Sequence, residues 1–185
     1  GIERNPFSLG VASGDPLASS LILWTRLAPD ALEGGGMPDE DVPVIWEVSK
    51  SPNFTTIDKY GVCKASPILA QSVHKDVRGL EPNTTYYYCF RLANLPDSPT
   101  DQWMSPVGTT KTLPLPGARI ERFKIAATTC QDYEDGYYTS HAHLAREDID
   151  LVAFLGDYIY EGGASNSPEK ARRHNSPEIQ SLEGF

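Results

Sequence analysis

The chain lacks the long apolar runs, nucleophile motifs and phosphate-binding loops that mark several large protein classes. No stretch of its 185 residues approaches the ~20 apolar residues that a membrane-spanning helix needs. It contains no Gly-x-Ser-x-Gly motif, so no α/β-hydrolase elbow is visible. It also has no glycine-rich loop of the P-loop or Rossmann type. Any catalytic function must therefore use different chemistry.

Basic residues are scarce relative to acidic ones. The chain has 16 Lys and Arg against 25 Asp and Glu, which gives a net charge of −9. A surface of this sign repels the phosphate backbone, so we expect no nucleic-acid binding. An acidic protein can still act on phosphate esters where bound cations reverse the local field.

Cysteine is also rare, with Cys63, Cys89 and Cys130 as the three examples. In a secreted protein, a Cys63–Cys89 disulfide with Cys130 as an odd thiol is one interpretation. The alternative is that Cys63 and Cys89 are small buried apolar residues. No basic–apolar–small signal segment opens the chain, so Gly1 is compatible with a mature N-terminus after signal removal.

Residues 1–112 have the pattern of an all-β domain. Short runs of strand-forming residues alternate with turn sequences such as Gly14-Asp15-Pro16. This punctuation is typical of an antiparallel β-sandwich. The predicted strands are Phe7–Ala12, Leu21–Leu27, Val42–Val48, Lys59–Lys64, Ser72–Val77, Tyr86–Leu92 and Gly108–Thr112.

The segment Leu80–Phe90 supports a sandwich of the fibronectin III/Ig-like kind. Leu80, Pro82, Thr84 and Tyr86 recur at every second position before an aromatic strand. A tyrosine at this position in such sandwiches packs its ring and bonds its hydroxyl back to the preceding turn. We expect Tyr86 to do the same, although an ordinary aromatic strand would give a similar pattern.

Residues 113–185 change in character after the proline-rich linker Leu113–Gly117. The sequence predicts a strand at Phe123–Thr128, a helix at Tyr138–Glu147 and a strand at Ile149–Leu155. This βαβ order predicts a parallel pair. One such unit cannot cover both faces of a parallel sheet, so we expect a C-terminal segment or a second chain to complete the domain.

Candidate metal ligands follow the two predicted parallel strands. Cys130 and Asp132 follow the first, and Asp157 and Tyr160 follow the second. The carboxyl ends of neighbouring parallel strands meet at one edge, where ligands bind in open α/β sheets. Thiolate, carboxylate and phenolate together suit a strong Lewis acid such as Fe3+, while Asp132 offers oxygen for a harder ion such as Ca2+.

Each of these residues also has an ordinary structural interpretation. Cys130 alone is typical of a buried cysteine, Asp157 of a turn cap and Tyr160 of a packing residue. Their combination at the ends of two successive strands favours a metal site. We assign no ligand role to His141, His143 or His174, because the first two fall on the predicted helix and the third in a polar tail.

These motifs resemble the PhoD-like alkaline phosphatase and phosphodiesterase family of the metallophosphoesterase superfamily. The resemblance rests on Gly156–Glu161 after a strand, and on Cys130-Gln131-Asp132 where the superfamily normally has Asp-x-His. The N-terminal segments Asn5–Pro16 and Leu23–Leu27 also resemble that family's opening domain. The resemblance covers nearly the whole chain.

The resemblance implies a secreted enzyme, extracellular or periplasmic, with a β-sandwich before an α/β/β/α catalytic domain. It implies a centre of Fe3+ with one or two Ca2+ that hydrolyses phosphomonoesters and phosphodiesters. Cys130 and Tyr160 would bind iron, the catalytic Asp157 would bridge iron and calcium, and Asp132 would lie on the calcium side. Further ligands would lie beyond Phe185.

Two alternative functions stay open at this point. Some similar enzymes are metal-dependent phospholipases D that cleave phospholipid head groups, and the motifs do not separate that activity from soluble phosphoester hydrolysis. The other alternative is a non-catalytic β-sandwich binding module. That function accounts for residues 1–112 and leaves the arrangement of Cys130, Asp157 and Tyr160 to chance.

Overall fold

A computed structural model describes residues 2–93 and 103–181 of the chain. The chain divides into two compact units, residues 1–119 and 120–185, and each is described by itself. The sequence-based domain limits, 1–112 and 113–185, stay a prediction. Among the described residues, none forms a helix with the length and apolar character that a membrane span requires.

The first unit is an antiparallel β-sandwich, as predicted. One sheet has the strand order β1-β2-β5 and the other has the order β4-β3-β6-β7. A three-stranded sheet facing a four-stranded one is the arrangement of fibronectin III and Ig-like sandwiches. The strands are β1 (Val11–Gly14), β2 (Ser20–Arg26), β3 (Val42–Ser49), β4 (Lys59–Ala65), β5 (Ser72–Arg78), β6 (Thr85–Leu92) and β7 (Gly108–Lys111).

The core of the sandwich forms because alternate residues of each strand point inward. In β2, Leu21 and Leu23 are fully buried, and Val44 and Val48 are buried in the same way in β3. Phe90 of β6 joins them in one continuous apolar cluster. Removing these side chains from water is the main driving force for this unit.

The predicted role of Tyr86 is confirmed. Its ring is 2% exposed, and its hydroxyl oxygen accepts the Glu81 backbone N–H at 2.9 Å. Thr112 closes the same turn, because its hydroxyl donates to the Glu81 carbonyl at 2.6 Å and accepts the Thr84 N–H at 3.0 Å. The turn before β6 is therefore fixed by two buried hydroxyl groups.

The first strand lies later in the chain than the sequence predicted. We expected Phe7–Ala12, whereas β1 is Val11–Gly14. The Gly10 N–H bonds back to the Phe7 carbonyl at 3.1 Å, and Gly10 has φ +74°, so this segment is a turn. Phe7 is buried in the core, which explains why its apolar character imitated a strand residue.

Of the two interpretations of Cys63 and Cys89, the disulfide is wrong, because all three cysteines are free thiols. Cys63 lies on β4 opposite Val44, and Cys89 lies on β6 opposite Glu47. Strand β3 separates them, so their backbones are two strand spacings apart, roughly 9–10 Å. A disulfide requires Cα atoms closer than about 7 Å.

Cys63 and Cys89 should resist alkylation in the folded protein. Burial raises the pKa of each thiol to about 11, so both stay protonated at pH 8 and become reactive only near pH 11 or on unfolding. Peptide mass spectrometry after iodoacetamide treatment at pH 8 measures this directly. We expect labelling of both in guanidinium chloride and about a hundredfold less in native buffer. A cross-linked Cys63–Cys89 peptide without reductant would contradict this account.

The second unit contains the predicted βαβ order. It consists of β8 (Ile125–Thr128), α1 (Thr139–Leu144) and β9 (Leu151–Phe154). Strands β8 and β9 pair in parallel, with Ile125 opposite Leu151 and Thr128 opposite Phe154. The parallel pair is therefore confirmed, and both strands end at the same edge.

Helix α1 is shorter than the predicted Tyr138–Glu147. Tyr138 has the left-handed φ of 54° and therefore lies outside the helix. After Leu144 the backbone hydrogen bonds span three residues and no longer four. The Arg146 N–H bonds to His143 O, and the Glu147 N–H bonds to Leu144 O. These i→i−3 bonds form tight turns that end the helix.

Candidate metal centre

The candidate site lies where β8 and β9 end. The Leu155 N–H bonds to Thr128 O at 2.8 Å, and beyond it the Cys130 N–H bonds to Gly156 O at 3.3 Å. The Thr129 hydroxyl donates to the same Gly156 carbonyl at 3.1 Å. These bonds continue the parallel pairing past the last strand residues, so Cys130 and Asp157 emerge side by side.

Both residues adopt an uncommon backbone conformation. Cys130 has φ +55° and Asp157 has φ +48°, the left-handed region that non-glycine residues rarely occupy. Such conformations cost free energy and cluster at functional sites, where they aim a side chain. Here two of them occur on adjacent chain segments at one sheet edge.

The side chains of Cys130, Asp157 and Tyr160 converge. The Cys130 thiol donates to Asp157 Oδ2 at 3.4 Å, and Tyr160 lies close enough to both residues for them to raise the pKa of its hydroxyl. All three residues are exposed. The structure therefore brings together three of the four residues that the sequence singled out; we call them the three-donor cluster.

Acidic surroundings shape the chemistry of Tyr160. Its hydrogen bond with Cys130, its partial desolvation and the negative charges of Asp157 and Asp132 raise its pKa to about 12. The negative potential that disfavours a phenolate attracts a cation. A bound cation would in turn reverse the sign of the local potential. The cluster is thus a set of soft and hard donors in a negative field.

Asp132 is placed differently from the other three. Its Oδ1 accepts the Glu134 backbone N–H at 2.7 Å, so the carboxylate caps its own turn. Within residues 2–93 and 103–181, no group of three or more His, Cys, Asp and Glu side chains is arranged to hold a metal ion. Tyr160 is not of those residue types, and the three-donor cluster contains only two of them.

A cavity of about 400 Å3 lies beside the cluster. Tyr160 and Asp132 line it together with Tyr138, Lys170, His174 and Ile179. Aromatic and aliphatic walls with a few charged groups are typical of small-molecule sites. The cavity belongs entirely to the second unit.

Sequence reasoning missed Glu134, which lines this cavity. Glu134 is 4% exposed, although nothing in its acidic surroundings distinguishes it from a surface glutamate. The Arg172 guanidinium lies 3.8 Å from the centre of the Tyr133 ring and 4.5 Å from that of Tyr138, which makes a cation–π stack. His141 packs on Phe154 with ring centres 6.0 Å apart.

Family comparisons agree with the motifs. A family model described as "PhoD-like phosphatase, N-terminal domain" matches residues 1–114, and one described as "PhoD-like phosphatase" matches residues 125–185. The two matched ranges together cover most of the chain.

Individual proteins show the same similarity. Alkaline phosphatase D of Bacillus subtilis (strain 168) is 52% identical over 183 residues, which is 97% of this chain and 30% of that protein. A solved structure described as "Structure of PhoD" is 51% identical, with a TM-score of 0.89 over 100% of this chain and 34% of the other. The chain therefore spans about a third of the length of the relatives it matches.

Proposed function

Because this chain belongs to the PhoD-like phosphatase family, we propose that it supplies the N-terminal half of the site of a metal-dependent phosphoric ester hydrolase. The proposed substrates are phosphomonoesters and phosphodiesters. The observation that carries this proposal is the convergence of Cys130, Asp157 and Tyr160 at the carboxyl edge of a parallel strand pair. A binding module built only on the sandwich has no use for that arrangement.

The donor set fits the metals that the family resemblance implies. Cys130 and Tyr160 would hold Fe3+, and Asp157 would bridge it to Ca2+, of which there would be one or two. Asp132 would join the calcium side after exchanging its hydrogen bond with the Glu134 amide. Bound there, the cations would polarise the phosphoryl group and lower the pKa of the attacking water.

The chain's own residues position this chemistry. The left-handed backbone at Cys130 and Asp157 directs both side chains to the same point beyond the sheet. Asp157 contributes the charge that draws cations into a protein whose net charge of −9 already attracts them. Remaining ligands would come from the parts of the protein that this chain does not span.

The proposed location is extracellular or periplasmic, and it rests on family membership alone. The proposed alternative substrate is a phospholipid, cleaved at its head group by the same centre. A phospholipid is itself a phosphodiester, so its cleavage and that of a soluble diester need the same in-line displacement at phosphorus. A direct comparison of substrates therefore separates them.

Chelation should abolish activity of the full-length protein. We expect EDTA to lower the rate of bis(p-nitrophenyl) phosphate hydrolysis roughly a thousandfold or more, because the cations supply several kcal/mol of transition-state stabilisation. EDTA presaturated with Fe3+ is the control, because its chelating groups are already occupied, and it should change little. Undiminished hydrolysis after elemental analysis shows the metals gone would overturn the proposal. Faster cleavage of phosphatidylcholine vesicles than of the soluble diester would favour the phospholipase alternative.

A further inference from the structure

Glu134 is a buried carboxylate held by the backbone of a distant segment. Its Oε2 and Oε1 accept the Ser165 N–H at 3.0 and 3.3 Å, and Oε1 also accepts the His174 N–H at 3.3 Å. Its Oε1 also lies 3.8 Å from His174 Nε2. A buried charge is strongly unfavourable unless it is paired and hydrogen-bonded, so these contacts are needed to keep Glu134 inside.

Further contacts tie the same two segments together. We call residues 165–174 the clasp segment and residues 130–138 the site loop. The Ala171 N–H bonds to Glu134 O at 3.0 Å, and the Tyr137 hydroxyl donates to Ala171 O at 2.7 Å. Arg172 stacks on Tyr133. The clasp segment therefore contacts the site loop at several positions, and Glu134 makes some of these contacts.

The clasp segment forms part of the cavity beside the three-donor cluster. Its residues Ser165, Lys170 and His174 line the same cavity as Tyr160. The positions of the Lys170 ammonium and the His174 ring relative to Tyr160 therefore depend on how the clasp segment is held. Lys170 is itself paired with Asp135 of the site loop.

We propose that Glu134 is a positioning residue: it holds the clasp segment so that the cavity binds the non-leaving substituent of a phosphodiester at the three-donor cluster. The inference rests on the proposed function, since it takes Cys130, Asp157 and Tyr160 as the reacting centre. A cavity of about 400 Å3 accommodates a small aromatic or aliphatic group. The tyrosine and isoleucine side chains of the wall offer apolar contact to an organic group, and the charged residues Asp132 and Lys170 line the cavity as well.

Two substrates with the same leaving group test this role in the full-length protein. Bis(p-nitrophenyl) phosphate and methyl p-nitrophenyl phosphate carry the same charge and release the same phenolate, and differ only in the non-leaving group. We divide kcat/KM for bis(p-nitrophenyl) phosphate by kcat/KM for the methyl diester. In Glu134→Gln this ratio should fall about tenfold, mainly because KM of the larger diester rises when a charged hydrogen-bond acceptor is lost. Glu169→Gln makes the same change at an exposed position of the clasp segment and should leave the ratio unchanged.

Hydrogen exchange gives a second readout that does not depend on activity. In the wild type, the Ser165 and His174 amides should exchange at least tenfold more slowly than an unstructured peptide, and Glu134→Gln should accelerate both. Glu134→Asp keeps the charge and should recover part of the protection and of the substrate ratio. Unprotected amides in the wild type would overturn the inference even if the Gln variant did not fold.

The outcomes separate this inference from the proposed function. Equal losses on both diesters in Glu134→Gln would contradict a role in binding the non-leaving group. A wild type that hydrolyses neither diester would overturn the proposed phosphodiester hydrolysis and the substrate part of this inference with it. The exchange rates would then still decide whether Glu134 holds the clasp segment.

Discussion

Asp157→Asn in the full-length protein is expected to lower phosphodiester hydrolysis roughly a thousandfold or more, since it removes the proposed bridging charge from the centre. The substitution changes one oxygen to a nitrogen and preserves the shape of the side chain. Asparagine tolerates positive φ, so the backbone angle of +48° at this position is retained without new strain. Loss of activity should therefore occur without loss of the fold.

Asp148→Asn provides the matched control for this prediction. Asp148 precedes β9 and forms an exposed ion pair with Arg122, a type of contact that contributes little to stability. The same chemical change there should leave hydrolysis within about twofold of the wild type. If Asp157→Asn retained full activity, Asp157 would have no role at the reacting centre. An inactive wild type with a preserved binding function would instead favour the module interpretation.

The sandwich was largely predictable because its signals are local. Alternation of buried and exposed residues along β2 and β3 follows directly from strand geometry. The spacing from Leu80 to Tyr86 predicted a bond between the Tyr86 hydroxyl and the preceding turn, and the structure shows that the Glu81 amide donates it. Both features depend on residues that are close in sequence, which pattern reasoning reads well.

The pairing of Cys63 and Cys89 depends on strand order. Neither residue carries any signal that β3 lies between their strands, so the sequence could not decide between a disulfide and two separate thiols. The start of the first strand was also predicted wrongly. Phe7 is buried in the core although it precedes the strand, and the turn at Gly10 makes the strand begin at Val11.

The candidate site was predictable to the extent that parallel pairing fixed it. Two strands ending at one edge were sufficient to place Cys130, Asp157 and Tyr160 together. The orientation of Asp132 was not, because a carboxylate two residues before an amide can cap its own turn. Glu134 was invisible for a different reason, since its burial depends on backbone groups some 30 to 40 residues later.

The role of Tyr160 leads to the second large effect. The hydrogen bond to Cys130 and the acidic neighbours raise its pKa to about 12, so a phenolate at neutral pH needs a strong Lewis acid beside it. Phenolate bound to Fe3+ absorbs visible light by charge transfer. Tyr160→Phe deletes only the hydroxyl and should therefore abolish this band and weaken iron retention, whatever the substrate of the enzyme.

Tyr60→Phe is a suitable control for this change. Tyr60 lies on β4 of the sandwich and is 75% exposed, so its hydroxyl can be removed with little effect on packing. Its variant should keep the visible band and the metal content of the wild type. A change common to both variants would reflect handling of the protein and not the site.

The central claim is that Cys130, Asp157 and Tyr160 together bind a trivalent metal. The most direct test is the visible absorption spectrum of the full-length protein, recorded with elemental analysis of the same samples. The account predicts a coloured wild type that contains iron and calcium, and a Tyr160→Phe variant without the band. A colourless, iron-free wild type, or a Tyr160→Phe variant whose visible spectrum is unchanged, would contradict it.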